Sequence, residues 1–308
     1  MIVYVVDQNN IPLLPTHPAR ARRLLNSGKA KVIQVVPFTI KLNYSVEKPV
    51  GSFEIGVDDG SKYVGVAIKN TKTNEVIFHG QIDHRQDVKM KMESRKYYRM
   101  SRRFRIRNRK QRAKNRKISK LAPSIHQRKE VIIRFIKDMS KRLNIEKIIV
   151  EEVKFNHYKY KYGNNFSIVE IGKSFLKKSI ENQGLIYEST FGYITKPKRL
   201  DLNLSKTHSN DACAIVGSNQ IVDRKWLIKP RRTKIWENNP TKTCNEKNGF
   251  RHYDLIKSYH RNKGIVIGSI RSLKENAITL RTKFDDNFQV SYKKSKLIQR
   301  FNGLIYSY

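Results

Sequence analysis

Residues 53–68 read FEIGVDDGSKYVGVAI, with two alternating apolar runs on either side of an Asp-Gly pair. This pattern predicts a β-hairpin. Because neighbouring side chains on a strand point to opposite faces, Phe53, Ile55 and Val57 share one face, and Asp58 lies on the other at the strand's end. An Asp beside a Gly is more often a turn former than a functional residue. Asp58 is therefore a candidate site residue only in combination with other carboxylates.

A second carboxylate, Glu151, follows the run EKIIV at 146–150. The apolar run predicts a buried strand and places Glu151 at its end. Glu152 is the alternative, because it stands next in the sequence and would point to the opposite face of the same strand. We favour Glu151.

The segment THSNDACAIVGS at 207–218 predicts a helix of small residues. His208 and Asp211 are three residues apart near its start, so their side chains share a face. A structural explanation competes for Asp211, since an acidic residue in a first turn is also favoured by the helix dipole.

Together these are three carboxylates and a histidine in a chain that is otherwise strongly basic. Phosphodiester cleavage with two metals needs such a set, because carboxylates hold divalent ions about 4 Å apart beside the attacking and leaving oxygens. Mg²⁺ is the expected metal, two ions in all, with Mn²⁺ able to replace it. The two cysteines, Cys213 and Cys244, are too few and too far apart for a CxxC zinc site or a disulfide framework.

The composition indicates a nucleic-acid partner. The 308 residues carry a formal net charge of +38, and only 38% are apolar. Such an excess repels itself unless a polyanion neutralises it, and Lys and Arg contacts to phosphate give sequence-independent affinity. A basic membrane-surface protein is the competing interpretation, but no long apolar span or basic amphipathic helix with a clean apolar face is evident. The N-terminus MIVYVVDQNN resembles a first strand rather than a targeting signal, so we expect a cytoplasmic, nucleic-acid-associated protein without a membrane partner.

The most basic stretch is RKYYRMSRRFRIRNRKQRAKNRK at 95–117, in which 13 of 23 residues are Lys or Arg and none is acidic. It contains no Gly or Pro, so it predicts one long helix. Three aromatic residues, Tyr97, Tyr98 and Phe104, are interleaved with the arginines and either pack on the core or stack on bases. A solvated basic helix or a disordered tail, as in ribosomal proteins, is the competing interpretation.

The rest of the chain alternates strands and helices before it turns all-β. A strand near the N-terminus, a basic helix stopped by Gly28 and two strands are predicted within residues 1–42. Apolar spacing predicts a helix within 125–144, a polar loop at 156–170, a short helix at 172–184 and an extended segment at 185–195. From about Gly249, short strands separated by turns predict a small all-β barrel.

Several collinear blocks resemble a known family. The blocks GVDDGSKYVGVAI (56–68), IEKIIVEEVKF (145–155) and KTHSNDACAI (206–215) resemble the three motifs of the RuvC nuclease domain. The basic stretch at 95–117 resembles the bridge helix of RNA-guided nucleases. The N-terminal block VYVVDQNNIPLLPTHPARARRLLNSGKAKV with PFTIKL, the block FGYITKPKRLDLNLSKTHSNDA and the tail GFRHYDLIKSYHRNKGIVIGSIRS are similar to IscB proteins, including their PLMP (RRXRR) module.

The resemblance implies an α/β fold: an RNase H-like RuvC core interrupted by a long arginine-rich bridge helix, with an N-terminal PLMP module and a small C-terminal all-β barrel. Five segments follow from it. They are a PLMP/RRXRR RNA-binding module (1–50), a first RuvC segment (51–92), the bridge helix (93–120), the remaining RuvC segments (121–228), and a linker with a barrel that reads a target-adjacent motif (229–308).

One absence narrows the resemblance. Only residues 152–207 separate Glu151 from His208, which leaves no room for the HNH nuclease that IscB carries there. The chain therefore resembles IsrB, the HNH-lacking relative. The resemblance implies an RNA-guided nickase that cuts the non-target DNA strand. Its expected partners are a guide ωRNA and double-stranded DNA with an adjacent motif, and the protein is expected to be a monomer with RNA.

Carried over by position, Asp58, Glu151 and Asp211 would be metal ligands, and His208 would orient or activate the attacking water. Asp59 stands where the family usually has Pro, and whether it or Glu152 also binds metal stays open. PLLP replaces PLMP, a change of similar volume. The residues implied to bind nucleic acid are Arg20, Arg22, Arg23, Arg95, Arg99, Arg102, Arg103, Arg105, Arg107, Arg109, Arg112 and Arg116. The side chains implied near the target-adjacent motif are Arg251, Tyr253 and Arg271.

Two other functions are consistent with these residues. The first is an unguided RuvC-like nuclease that acts on branched DNA, which predicts cleavage of four-way junctions by RNA-free protein. The second is a non-catalytic RNA-binding protein whose carboxylates only balance local charge, which predicts metal-independent RNA binding without nicking.

Overall fold

The computed structural model describes residues 2–47, 51–106, 121–154, 168–230, 246–282 and 287–307. The chain divides into two compact units. The first comprises Met1–Gly51, Ser140–Asn144 and Arg231–Tyr306; the second comprises Ser52–Met139, Ile145–Pro230 and Ser307–Tyr308. The first unit thus joins segments from both ends of the chain, and the second contains all four predicted catalytic residues.

The N-terminal part of the first unit is a small three-stranded sheet with one helix. Its elements are β1 (Tyr4–Val6), α1 (Pro18–Asn26), β2 (Ala30–Gln34) and β3 (Thr39–Leu42). Strand β3 lies in the middle, parallel to β1 and antiparallel to β2. The His17 side chain caps α1 by accepting from the Ala19 N–H at 3.3 Å, and Gly28 follows the helix with φ +70°. Glycine adopts a positive φ without strain because it has no Cβ. Gly28 therefore ends α1, as the sequence predicted.

The second unit is built on a mixed sheet. Six of its seven strands are β4 (Phe53–Asp59), β5 (Tyr63–Asn70), β6 (Val76–Asp83), β7 (Ile145–Glu152), β8 (Ile186–Phe191) and β9 (Lys225–Pro230). They lie side by side in the order β9-β6-β5-β4-β7-β8. The predicted hairpin is confirmed: β4 and β5 pair antiparallel with Asp58 opposite Gly65. Strand β7 pairs parallel with β4 and β8, and β9 pairs parallel with β6.

Among the described residues, five helices belong mainly to this unit. They are α2 (Val88–Arg105), α3 (Pro123–Ser140), α4 (Ile168–Glu181), α5 (Gly192–Asp201) and α6 (His208–Val216). Helix α3 covers one face of the sheet with Ile132, Phe135 and Ile136, which are fully buried. The Phe135 ring lies 5.6 Å from that of Phe78 on β6. The apolar spacing predicted within 125–144 therefore corresponds to a core helix, and the mixed α/β class is confirmed.

Helix α6 covers the opposite face, and two glycines let it approach. A Cβ on Gly65 would lie 1.7 Å from the His208 carbonyl oxygen, and one on Gly56 would lie 2.6 Å from that of Ala212. Any larger residue at either position would push the helix off the sheet. The start of α6 is thereby held directly over the end of β4, where Asp58 lies.

Three sequence-based expectations differ from the structure. Helix α2 begins at Val88, five residues before the predicted start of the bridge helix at 93. The remainder of that predicted helix, 107–120, lies outside the described residues. The predicted extended segment at 185–195 ends at Phe191, and α5 begins at Gly192. Most of the predicted loop at 156–170 is also outside the described residues, and α4 begins there at Ile168. The α5 error arose because Tyr-Ile-Thr and an internal proline disfavour a helix, whereas burial of one face of α5 favours it.

The C-terminal part of the first unit is all-β. It contains β10 (Glu246–Lys247), β11 (Phe250–Arg251), β12 (Leu255–His260), β13 (Gly264–Leu273), β14 (Ile278–Arg281), β15 (Asn287–Val290), a 3-10 turn (Tyr292–Lys294), β16 (Ser295–Gln299) and β17 (Leu304–Ser307). Five of these strands form an antiparallel sheet in the order β15-β14-β13-β12-β16 around buried Ile256, Ile270 and Leu280. Strands β15 and β16 are the edges of this order, so closure into a barrel stays a prediction.

One side chain fastens the two ends of the chain together within the first unit. The Gln299 Oε1 on β16 accepts hydrogen bonds from the N–H groups of Val35 and Val36, both at 3.0 Å. Its Nε2 donates to the Val36 carbonyl at 2.9 Å. A single amide therefore satisfies three backbone groups that follow β2.

Candidate active site

The first two candidate residues meet at the ends of neighbouring strands. Asp58 on β4 and Glu151 on β7 are register partners in a parallel pair, so their side chains project from the same face. That face is the one covered by α6. The alternation of faces inferred from the sequence agrees with this register: two regular strands bring the carboxylates together.

Helix α6 supplies the other two. Its N-cap, Thr207, accepts a hydrogen bond from the Asn210 N–H at 3.2 Å and so fixes where the helix begins. His208 is the first helical residue, and its Nδ1 lies 2.6 Å from Asp58 Oδ2. Asp211 follows one turn later on the same side. All four predicted site residues thus surround one point of the sheet.

Helix α5 contributes two residues that the sequence did not indicate. Thr195 and Arg199 are four residues apart, both on the buried side of this helix, with 3% and 8% exposure. The Thr195 hydroxyl donates to the Phe191 carbonyl at 3.3 Å and lies close enough to Glu151 to lower its pKa. Arg199 Nε lies 2.8 Å from Asp211 Oδ1. One helix therefore holds one carboxylate from the sheet and another from α6. No local pattern distinguishes Arg199 from the exposed lysines beside it.

The carboxylates act on one another electrostatically. The pKa of Glu151 is raised by burial and further by the charges of Asp58 and Asp211, while the Thr195 hydroxyl opposes this. The pKa of Asp211 is raised by burial and by Asp58, while Arg199 opposes it. The pKa of His208 is raised chiefly by its hydrogen bond to Asp58. Like charges raise each other's pKa when they are forced close together, so this cluster favours a cation at its centre.

The two neighbouring acidic residues lie on the other face of the sheet. Asp59 forms a buried ion pair with Lys129 of α3. Burial raises the pKa of Asp59, and the Lys129 ammonium opposes this effect. Glu152 accepts a hydrogen bond from the Tyr187 hydroxyl at 2.8 Å and lies 3.9 Å from the Lys173 ammonium. Each of them therefore has cationic or hydroxyl partners of its own, away from Asp58 and Glu151.

The donor set fits a hard divalent ion, since it consists of three carboxylates with one histidine. In the described part of the chain, however, no group of three or more His, Cys, Asp or Glu side chains is already arranged to hold a metal. One oxygen of Asp58 faces His208 and one oxygen of Asp211 faces Arg199. Asp58 and Asp211 each retain a second oxygen. The residues therefore fit the group by the chemistry of their donor atoms.

We expect Arg199→Gln to slow catalysis by about 10- to 100-fold if this cluster cleaves DNA, because residues that orient metal ligands typically contribute that much. The amide cannot hold Asp211 through a charged contact. The measurement is the single-turnover cleavage rate at saturating Mg²⁺. Lys198→Gln is the matched control, since Lys198 is the next residue and is exposed. Equal rates for both variants and the parent protein would contradict a positioning role.

The arginines predicted to bind nucleic acid, as far as the structure describes them, lie on two exposed helices. Arg20, Arg22 and Arg23 are exposed on α1. No side chain of α2 is buried, and its exposed arginines are Arg95, Arg99, Arg102, Arg103 and Arg105. Tyr97, Tyr98 and Phe104 are 73%, 72% and 94% exposed, so these aromatic side chains do not pack in a core within the described residues. The other four predicted arginines, Arg107, Arg109, Arg112 and Arg116, lie outside the described residues.

The three side chains implied near a target-adjacent motif lie around the C-terminal sheet. Arg251 pairs with Glu246 at 2.8 Å, and Arg271 donates to Asn287 Oδ1 at 3.0 Å. Tyr253 has φ +68°, an uncommon conformation for a residue with a side chain. Both arginines therefore have partners in this structure, and their roles stay predictions.

Fold and site together define a mixed α/β protein with clustered carboxylates at the ends of paired strands, beneath a helix. A model of the RRXRR protein family matches residues 3–172, which is more than half of the chain. The chain therefore belongs to the RRXRR protein family. A comparison with curated protein sequences finds no match. Within the described residues, no helix is both long and apolar enough to cross a membrane.

Solved structures with some similarity include RuvC from Thermus thermophilus. The complex with a Holliday junction substrate shares 13% identity with a TM-score of 0.30, and the match covers 54% of this chain and 90% of that one. A second RuvC structure shares 13% identity with a TM-score of 0.31, over 53% and 90%. A ROK family transcriptional regulator, a homolog of the E. coli MLC protein, shares 12% with a TM-score of 0.27, over 59% and 39%. Likenesses this weak carry no conclusion about the present chain.

Proposed function

We propose that this chain is an RNA-guided, Mg²⁺-dependent DNA nickase of the IsrB type, built on an RNase H-like core. It would use a guide ωRNA and cut the non-target strand of a DNA duplex beside a short adjacent motif. The five segments 1–50, 51–92, 93–120, 121–228 and 229–308 would serve as RNA-binding module, first RuvC segment, bridge helix, remaining RuvC segments and motif-reading C-terminal part.

The observation that carries this proposal is the convergence of Asp58, Glu151, His208 and Asp211. They come from distant parts of the sequence: His208 and Asp58, whose side chains are 2.6 Å apart, are separated by 150 positions. Acidic side chains clustered this tightly in a chain of net charge +38 are costly unless they serve a purpose, because each raises the pKa of its neighbours. Cation-assisted phosphodiester chemistry is a function that needs such a cluster.

Asp58, Glu151 and Asp211 would hold two divalent ions. When bound, the ions would supply charge stabilisation to the attacking and leaving oxygens of the phosphodiester. The protein's own contribution is to fix the three carboxylates: β4 and β7 set the first two, and α6 with Arg199 sets the third. Asp58 and Glu151 lie on regular strands, so the sheet preorganises these two carboxylates.

His208 is suited to orient or deprotonate a water. Its Nδ1 is held by Asp58, which leaves Nε2 as the nitrogen that can accept a proton. The His208 side chain is 41% exposed, so water reaches the ring. Because the hydrogen bond to Asp58 raises the pKa of His208, the neutral ring needed for proton transfer forms only as the pH rises above that pKa. We therefore expect activity to fall on the acidic side.

RNA guidance is supported by the family assignment and by the exposed basic helices. An 18-residue helix with no buried side chain has little to stabilise it alone, since helices in proteins are mostly held by an apolar face. A nucleic-acid backbone along its arginines would supply the missing contacts. Sequence recognition would then come from guide pairing, with the protein reading backbone shape.

The short segment between Glu151 and His208 supports the nickase assignment. Residues 152–207 include β8, α4 and α5, which belong to the fold around the first centre. A second nuclease domain has no room there, so we infer that one strand of the duplex is cut.

The experiment that tests the proposal expresses the chain with its flanking genomic DNA and sequences the RNA that copurifies. A discrete structured RNA encoded beside the gene is expected. That RNA, with a matched DNA target labelled on each strand, should then direct a cut in the non-target strand only. Cleavage of four-way junctions by RNA-free protein would instead favour the unguided nuclease. Binding of heterogeneous RNA without any cut, with or without Mg²⁺, would favour the non-catalytic RNA-binding protein.

A separate prediction concerns metal binding in the absence of any substrate. Mg²⁺ is expected to raise the melting temperature of the parent protein, because it relieves the repulsion among Asp58, Glu151 and Asp211. In Glu151→Gln the rise should be much smaller. The measurement is a thermal melt at several MgCl₂ concentrations, with NaCl of equal ionic strength as control. An equal response of both proteins would argue against metal binding at this cluster.

A further inference from the structure

A pocket lies away from the carboxylate cluster, between the residues that precede α2 and the first turns of α3. We call it the α3 pocket. It is a shallow depression that encloses only about 10 Å³ and opens to solvent. Its lining has five polar residues, none of them acidic, and three apolar ones: His84, Arg85, Ser124, Gln127 and Arg128, with Val88, Val131 and Pro230.

The positive charge of Arg128 is not balanced in this pocket. Its Nε is buried and has no hydrogen-bond partner. Burial lowers the pKa of the Arg128 guanidinium, the direction expected when a cation loses water without gaining an anion. The two nearby cations have carboxylates of their own, since Arg85 pairs with Asp87 and Lys129 pairs with Asp59. Among the described residues, Arg128 has no such partner.

His84 is a second group without a partner in the same place. The residue is 4% exposed, and its buried Nε2 has no hydrogen-bond partner. Burial, together with the charges of Arg128 and Lys129, lowers the pKa of His84 to about 4. The ring is therefore neutral at pH 7. An anion near Arg128 would remove part of the electrostatic penalty that keeps it so.

The start of α3 adds to the same field. The first turn of this 18-residue helix contains no acidic residue, so the positive end of its dipole is not offset by a side chain of that turn. Ser124 and Gln127 bring a hydroxyl and an amide to the pocket wall. Hydrogen-bond donors, a guanidinium and a helix start on one wall are the features with which proteins bind phosphate.

We propose that a phosphate group of a single-stranded RNA backbone binds at the solvent-facing mouth of the α3 pocket, with the partly exposed Arg128 as its principal contact. The RNA is favoured over a free anion because the pocket is continuous with α2: Val88, the first residue of that helix, lines it. A backbone that follows the exposed arginines of α2 reaches the pocket at the helix start. The site is separate from the carboxylate cluster, and the choice of RNA as its ligand rests on the proposed function, in which RNA follows α2.

The test compares Arg128→Gln with Arg134→Gln in the full-length chain. Arg134 is on the same helix but already pairs with Glu130 at 3.5 Å, so it is a matched control. The probe is a fluorescent single-stranded RNA of mixed sequence, titrated at several NaCl concentrations without Mg²⁺. We expect Arg128→Gln to bind about tenfold more weakly at 0.1 M salt. The slope of log affinity against log salt should fall by about 0.7, the value for one phosphate contact on a single strand. Equal effects of both variants would overturn the proposal.

A second variant guards against loss of folding. Gln127→Glu places a carboxylate at the pocket wall beside Arg128, where it can stand in for the phosphate. We expect this variant to melt at a higher temperature than the parent protein and to bind RNA about tenfold more weakly. Gln183→Glu, near the end of α4, carries the same charge change elsewhere and should do neither. A lower melting temperature with unchanged RNA affinity would overturn the proposal.

The source of the anion is distinguished by thermal melts with sodium phosphate or with NaCl at equal ionic strength. Stabilisation by phosphate that Arg128→Gln lacks, without an RNA effect, would assign the pocket to a free anion and overturn the RNA assignment. An RNA effect with or without phosphate stabilisation supports it. Since no guide or target DNA is used, failure of guided cleavage would remove the proposed function and leave this site standing.

Discussion

Asp58→Asn is expected to reduce DNA cleavage by about 10³-fold or more, while RNA affinity changes by less than twofold. Asp58 is the one carboxylate that both faces His208 at 2.6 Å and pairs in register with Glu151. The neutral amide removes a charge worth several kcal/mol to a bound divalent ion, and 4 kcal/mol corresponds to about three orders of magnitude in rate. The measurement is single-turnover nicking of a duplex labelled on each strand.

A second readout of the same variant does not depend on cleavage. The hydrogen bond to Asp58 is the main cause that raises the pKa of His208, so Asp58→Asn should lower that pKa. Proton NMR of the imidazole across a pH titration measures it. Unchanged cleavage together with an unchanged histidine pKa would show that the contact is absent in solution and would refute the assigned site.

Asp59→Asn, one residue further along β4, is expected to reduce stability and to leave cleavage intact, the reverse of Asp58→Asn. It should destabilise the protein by about 3–5 kcal/mol, because removal of one partner leaves the other as an uncompensated buried charge. Lys129 and Asp59 are 2% and 4% exposed at their side chains, so water cannot replace the lost contact. A shift in the melting temperature of roughly 10 °C follows for a protein of this size. Below that temperature the variant should still cut DNA.

Two controls sharpen this second prediction. Asp201→Asn, an exposed residue at the end of α5, should leave the melting temperature within about 1 °C. Asp59→Leu combined with Lys129→Met should recover most of the lost stability, because an apolar pair of similar size carries no desolvation penalty. A folded, fully stable Asp59→Asn that fails to cut would exchange the roles assigned to Asp58 and Asp59.

The part of the site that lies on regular strands could be predicted from the sequence. Period-2 alternation places Asp58 and Asp59 on opposite faces of β4, and the same rule separates Glu151 from Glu152. The structure agrees, since Asp59 and Glu152 are held on the far face by Lys129 and Tyr187. What alternation cannot give is the identity of these partners, which are 70 and 35 positions away.

The part that the sequence did not reveal is α5. Its residues read GYITKPKRLD, and β-branched residues with an internal proline disfavour a helix. The helix forms because Thr195 and Arg199 are buried against Glu151 and Asp211, which is a tertiary effect invisible to local pattern. The positions of Gly56 and Gly65 did not predict the close approach of α6 either. Nothing in the sequence distinguishes them from other strand residues, and the reason for the missing Cβ is apparent only from their contact with α6.

The Gln299 contact has a consequence for biosynthesis. The hydrogen-bond acceptor of the Val35 N–H, Gln299 Oε1, lies 264 residues later in the chain. At a synthesis rate of about 5–20 residues per second, it is translated roughly 10–50 s after Val35. During that interval the edge of β2 is short of the contacts that later cover it, and a nascent chain of this basicity can meet RNA before it is complete. If the proposed RNA partner binds the N-terminal helix α1 at that stage, it acts as a folding template, and assembly with RNA begins during translation.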